Sequence, residues 1–224
     1  MIVRVMPDVS GIDKVFDYEV PARWVESVHV GSLVRIDLHG RRVAGWVVAC
    51  DVEPPPGVVL REISKVSSLG PDGATIELAR WAAHRWAGRV VPLMKQAMPD
   101  TMVSTLPEGP GPRSLAGDDV EVAEAFSQPG VTVVRSPPGA DRLPYVIEAA
   151  GRGDGIVVVP SVGDARFLGG QLRRAGGRVA LAGRDWALGA AGGTVIGSRK
   201  AVWARTRSLS SCVVLDEHLS LIHI

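Results

Sequence analysis

The chain has 224 residues, of which 46% are hydrophobic and 22% charged, a globular composition that excludes a disordered protein and leaves room for one large domain or two ordinary ones. Formal net charge is only +1, so any nucleic-acid surface must come from local clustering of cations rather than overall basicity. No apolar run approaches the roughly 18 residues of a membrane-spanning helix, and the opening Met1-Ile-Val-Arg-Val-Met-Pro-Asp8 lacks the layout of a secretory signal; the expected location is the cytoplasm.

In chain order, residues 2–6, 15–20, 33–38 and 43–52 are short, β-branched and partly alternating, the pattern of strands. Gly40-Arg41 stands between the third and fourth runs as a hairpin turn would, and 58–66 reads as a weaker fifth strand. Short strands at this spacing predict a small barrel or sandwich. Pro71-Asp72-Gly73 is a turn, and a helix is expected over 74–87, with Leu78, Trp81, Ala82 and Trp86 spaced for one buried face and Gly88 able to cap it. A second short helix is expected over 92–98, stopped by Pro99.

Between Arg80 and Pro99 the charged residues are Arg80, Arg85, Arg89 and Lys95, with no acid. The three arginines partly share a helix face. Such a face is either simply solvated or a contact for a DNA backbone. The only cysteines, Cys50 and Cys212, lie in apolar runs without a CxxC or His/Cys cluster, so buried thiols are expected and no metal site.

The Pro/Gly-rich stretch 106–113 has linker composition. Beyond it, apolar runs at 131–135, 155–159, 179–181, 194–196 and 212–215 alternate with helical stretches at 143–150 and 163–175. That rhythm predicts a parallel, doubly wound sheet. The expected organisation is a β-rich domain over 1–105, a linker over 106–125 and an α/β lobe over 126–218. Asp216-Glu217-His218 ends the last strand, where α/β sheets place their ligands. The sheet then lacks a covering helix, and the tail 219–224 looks like translated adapter sequence. A fragment with a non-native tail is therefore expected.

Several linked motifs resemble the PriA family of replication restart proteins. Phe16-Asp17-Tyr18 with Val20-Pro21 is similar to its "FDY-x-VP" opening. Gly31-Ser-Leu-Val-Arg-Ile36, Gly40-Arg41-Arg42 and Gly45-Trp-Val-Val48 follow in family order, then Leu60-Arg61, then Leu78-Ala-Arg-Trp81 through Ala97-Met98-Pro99. Val195-Ile-Gly-Ser-Arg199 and Val213-Val-Leu-Asp-Glu-His218 resemble motifs of its first motor lobe. The resemblance implies an α/β multidomain protein with a 3′ DNA-binding domain followed by a truncated RecA-like, P-loop-type lobe. It also implies that Phe16, Asp17, Gly40 and Arg61 hold the 3′ end of a nascent strand. An aromatic ring can stack on a terminal base, a carboxylate can accept from a 3′-hydroxyl, and Arg61 can hold a phosphate. Read without the resemblance, Asp17 is a solvated strand residue and Phe16 is core.

The nucleotide loop departs from the family pattern. A working P-loop needs backbone N–H donors, a Lys on the phosphates and a Ser/Thr on Mg²⁺. Here the stretch is Arg135-Ser-Pro-Pro-Gly-Ala-Asp-Arg142, with Gly139, Asp141 in the Lys position and Arg142 in the Ser/Thr position. Pro137 and Pro138 remove two donors. An anion in place of the cation reverses a Coulomb contribution of about 4 kcal/mol at 4 Å and an effective dielectric of 20. Asp216, Glu217 and His218 are then vestigial.

The expectation is a DNA-binding replication restart factor that recognises branched DNA and nascent 3′ ends at stalled forks, without helicase activity. The family implies ATP with magnesium and, beyond this sequence, zinc; no cofactor is expected for this chain. Implied partners are forked DNA, single-strand DNA-binding protein and primosome components, with the nucleoid as the place of action. The alternatives are an active ATP-dependent 3′-to-5′ DNA helicase and a small-molecule α/β enzyme with a β accessory domain.

Overall fold

The structure, a computed structural model, describes residues 1–9, 11–12, 14–109, 115, 117–137 and 139–216. The chain divides into two compact units, Met1–Thr105 and Leu106–Ile224. Pro138, Glu217, His218 and the tail 219–224 lie outside the described residues, and with them part of the nucleotide-loop and strand-end expectations.

The first unit is built on six strands: β1 (Ile2–Pro7), β2 (Phe16–Glu19), β3 (Leu33–Leu38), β4 (Arg41–Cys50), β5 (Arg61–Glu62) and β6 (Lys65–Ser68). They pair in the order β5-β2-β1-β4-β3-β6, antiparallel except for β2 with β5. Alternation sends Val3, Val5, Tyr18, Val34, Ile36 and Val47 into one core. The expected fifth strand is two. Its first half pairs with one edge of the sheet and its second half with the other. Between them the Ile63 N–H donates to Glu19 O at 3.0 Å and the Ser64 N–H to Arg35 O at 2.8 Å. One short segment thus ties both edges together and closes the sheet as a barrel, which removes the open edges that invite aggregation.

Two glycines are required by this path. Gly40 turns β3 into β4 with φ +78°. Gly31, at φ +95°, lets its backbone meet that of Gly70 and Pro71, where an added Cβ would collide with the Pro71 carbonyl. That contact sets the start of β3 against the start of α1 (Gly73–Arg85). The Asp72 carboxylate caps α1 by accepting from the Thr75 N–H at 2.9 Å. α2 (Val90–Ala97) packs after it.

The buried face of α1 differs from the sequence expectation. Thr75, Ile76, Ala79, Ala82 and Ala83 are buried, whereas Leu78 is exposed and Trp81 and Trp86 are 56% and 67% exposed. Small residues let the helix seat closely, so the large apolar side chains face outward. The two tryptophans meet edge to face, 5.4 Å apart.

The second unit carries α3 (Val120–Ala125), α4 (Leu143–Arg152), β7 (Asp154–Val158), α5 (Val162–Arg174), β8 (Val179–Leu181), α6 (Trp186–Ala190), β9 (Thr194–Gly197) and β10 (Leu209–Val214). The sheet order is β10-β7-β9-β8, and every pair is parallel. Val157 and Val159 face Val146, Leu168 and Leu172 of α4 and α5, while Ile156 and Val158 face Ala201 on the other side. Every residue of β7 is therefore buried, as a central parallel strand requires.

Two expectations fail here. Residues 131–135 form no strand: Val131 is 95% exposed, and the stretch joins no ladder. Val131, Val133 and Val134 have strand propensity, but propensity becomes a strand only against a partner. Cys212 is exposed rather than buried because β10 is an edge strand with alternate residues uncovered. Cys50 is half-buried.

Candidate functional site

The four barrel residues singled out from sequence fall into two groups. Gly40 and Arg61 come together through Asp37, a residue the sequence reading missed. One oxygen of Asp37, Oδ1, accepts from the Gly40 N–H at 3.0 Å and from Arg61 Nη1 at 2.5 Å. The Asp37 carbonyl accepts from the Tyr18 hydroxyl at 2.9 Å. Tyr18 pairs in register with Arg61 across β2 and β5, so the closure of the barrel assembles the cluster from three strands and a turn. Burial, and then the charge of Asp37, push the Tyr18 hydroxyl's pKa above its usual value, while Arg61 opposes them; the phenol stays a donor.

Asp17 belongs to a second pair. Its two oxygens accept from Arg4 Nε at 2.8 Å and Nη2 at 3.0 Å, a bidentate fork between directly opposed residues of β1 and β2. The Asp17 side chain is only 8% exposed. Hydrogen bonding to Asp17 and its charge hold the Arg4 guanidinium further into its cationic range. A carboxylate offers about four acceptor positions, so the fork leaves Asp17 room for another small donor. Phe16, half-buried, packs against the barrel core. Only the antiparallel register puts Arg4 opposite Asp17; alternation alone could not name the pair.

The arginine set is less free than the sequence implied. Arg80 is paired with Glu77 at 2.6 Å, one turn earlier on α1, and Lys95 with Asp8 at 2.8 Å. Arg85 and Arg89 are exposed.

In the second unit, the loop before α4 meets the end of β10. Arg142 Nη2 lies 3.1 Å from Asp216 Oδ1, and Arg142 Nη1 donates to Ala140 O at 2.9 Å. Asp141 accepts from the Leu143 N–H at 2.9 Å, and the Ala140 N–H donates to Pro137 O at 3.1 Å. Gly139 makes the turn with φ +79°. Two N–H groups that could face a phosphate are thus satisfied within the loop, Pro137 has none, and the guanidinium stands between loop and strand end. The sequence separated Arg142 and Asp216 by 74 positions, and only the parallel sheet brings them together. Among the described residues, no group of three or more His, Cys, Asp or Glu side chains could hold a metal ion. No helix among them is long and apolar enough to cross a membrane.

Residues 4–99 match the family model of the 3′ DNA-binding domain (3′BD) of PriA. The first unit is similar to a PriA 3′ DNA-binding domain. The match covers the barrel from the third residue of β1 onward, with α1 and α2, and includes Arg4, Phe16, Asp17, Tyr18, Asp37, Gly40 and Arg61. It bears out the resemblance read from the N-terminal motifs and supports DNA binding by the first unit. No curated protein matches the chain.

Proposed function

We propose that the protein binds branched DNA at a nascent 3′ end, as part of replication restart, and does so without ATP turnover. The observation that carries the DNA-end reading is the 3′BD match over residues 4–99, together with Gly40 and Arg61 meeting at one cluster of the barrel. In this reading Phe16 offers a ring edge to the terminal base. Asp17, held by Arg4, accepts from the 3′-hydroxyl. Gly40 lets backbone approach the sugar, and Arg61 borders the terminal linkage. Arg85 and Arg89, with Arg80, supply contacts to the DNA backbone. Single-strand DNA-binding protein and primosome components are the partners this role implies.

The second unit is read as a partial RecA-like lobe whose nucleotide site has decayed. Its all-parallel sheet, covered on both faces, supports the lobe assignment. The internally satisfied loop and the Arg142–Asp216 pair support decay, and both oppose the helicase alternative.

Fluorescence anisotropy with forked DNA tests the reading. The wild-type chain is expected to prefer a fork carrying a 3′-hydroxyl at the junction over the same fork lacking that end. Asp17→Ala should lose about ten- to a hundred-fold of that preference, the value of one charge-assisted hydrogen bond. Equal binding to both forks would overturn the reading. ATP hydrolysis should not rise on adding the fork; turnover that does rise would return the helicase alternative.

A further inference from the structure

Four charged groups of the barrel form two pairs, Arg4 with Asp17 and Arg61 with Asp37. Each cation therefore meets DNA with its charge already balanced. Asp37 is the more accessible of the two carboxylates, with its side chain 40% exposed against 8% for Asp17. It is also held by two further groups: its carbonyl accepts from the Tyr18 hydroxyl of β2, and its carboxylate from the turn N–H of Gly40.

We infer that Asp37 is a positioning and specificity residue that makes the barrel site selective for an uncharged 3′-hydroxyl over a 3′-phosphate, by holding Arg61 and cancelling its charge. The inference rests on the reading of the barrel as a DNA 3′-end site. Its logic is electrostatic. A free guanidinium beside a DNA end is a ready bidentate partner for phosphate. Such a partner would favour a phosphorylated end, which carries additional charge and acceptor oxygens. Held by Asp37 at 2.5 Å, the same guanidinium is oriented but already satisfied. The carboxylate beside it then repels an incoming phosphate, whereas a hydroxyl brings no charge to repel.

The test uses the full chain with two forks, one ending in a 3′-hydroxyl and one in a 3′-phosphate at the junction, over a range of salt. Asp37→Asn keeps an oxygen for the Gly40 N–H but removes the charge that holds Arg61. It should narrow the preference for a hydroxyl over a phosphate, leaving the part that Asp17 supplies, and steepen the salt dependence by about one unit, the contribution of one newly engaged phosphate. Adding Arg61→Ala to that variant should restore the wild-type slope. Asp37→Glu, which keeps the charge, should keep the preference. Intact fork binding with unchanged preference and slope in Asp37→Asn would overturn the inference. Failure of the wild-type chain to distinguish a 3′-ended fork would instead overturn the end-binding reading beneath it. Should Asp37→Asn not fold, Arg61→Ala alone decides. With Asp37 balancing it, losing Arg61 should change the slope by less than about half a unit, and a full unit would overturn the proposal.

Discussion

Arg142 shows how one side chain closes a site by satisfying its neighbours. The guanidinium joins the loop directly to Asp216, at 3.1 Å, and to the loop's own Ala140 carbonyl. Asp141, an anion where a phosphate would need a cation, serves as the acceptor for the first N–H of α4, where a negative charge is favoured. Both residues thus make structural contacts within the second unit. If so, Arg142 and Asp216 should be coupled in stability. In a double-mutant cycle with Arg142→Ala and Asp216→Ala, read by urea unfolding of the full chain, the coupling should be about 1 kcal/mol, a charged hydrogen bond discounted for partial exposure. Simple additivity of the two variants would show that the pair is incidental.

At the scale of elements, the end of α1 carries a local cost that a single substitution can relieve. Ala87 adopts φ +49°, while the Gly88 N–H reaches back to Ala83 O at 2.7 Å, closing the helix in a Schellman-type turn. Sequence reasoning placed the cap at Gly88, one residue late, because glycine is the usual left-handed residue there; the left-handed position is occupied by alanine. Ala87→Gly should therefore stabilise the first unit by about 1 kcal/mol, since the left-handed conformation costs an L-residue about 1–2 kcal/mol and part of the gain is lost to chain entropy. Thermal unfolding that shows no gain would mean the turn relaxes freely. The same element explains what could be read from sequence. Strands β1 to β4 were legible because half-buried strands alternate, and the start of α1 because the Pro71-Asp72-Gly73 turn precedes it. The buried face of α1 was not legible, since it is chosen by how closely Ala79, Ala82 and Ala83 can approach the rest of the unit rather than by hydrophobicity. Nor was the missing strand at 131–135, because its three valines encode a strand only where a ladder accepts them. Of the candidate site, the family motif residues were legible, but Arg4 and Asp37 depend on register and on barrel closure, which no local pattern states.

At the scale of the molecule, the division at Thr105 is a division of function as well as of chain. The barrel closes on itself through Ile63 and Ser64, and its last segment is tied down where the Ser68 hydroxyl accepts from the Val103 N–H at 2.9 Å and the Leu69 N–H donates to Val103 O at 2.6 Å. These bonds end two residues before the boundary, so the first unit holds its own terminus. Its core of Val3, Val5, Val34, Ile36 and Val47 draws on no residue beyond Thr105. All residues proposed to touch DNA, from Arg4 to Arg89, lie in it as well. A fragment spanning 1–105 should therefore unfold in one cooperative transition and bind a 3′-ended fork within about threefold of the full chain, a difference under ~0.7 kcal/mol. It should also keep the wild-type preference for a 3′-hydroxyl, because Asp37, Arg61 and the Asp17–Arg4 pair all remain. Residues 106–224 alone should show no such preference. Loss of fork binding by a folded 1–105 fragment would mean that the α/β unit contributes to DNA recognition after all.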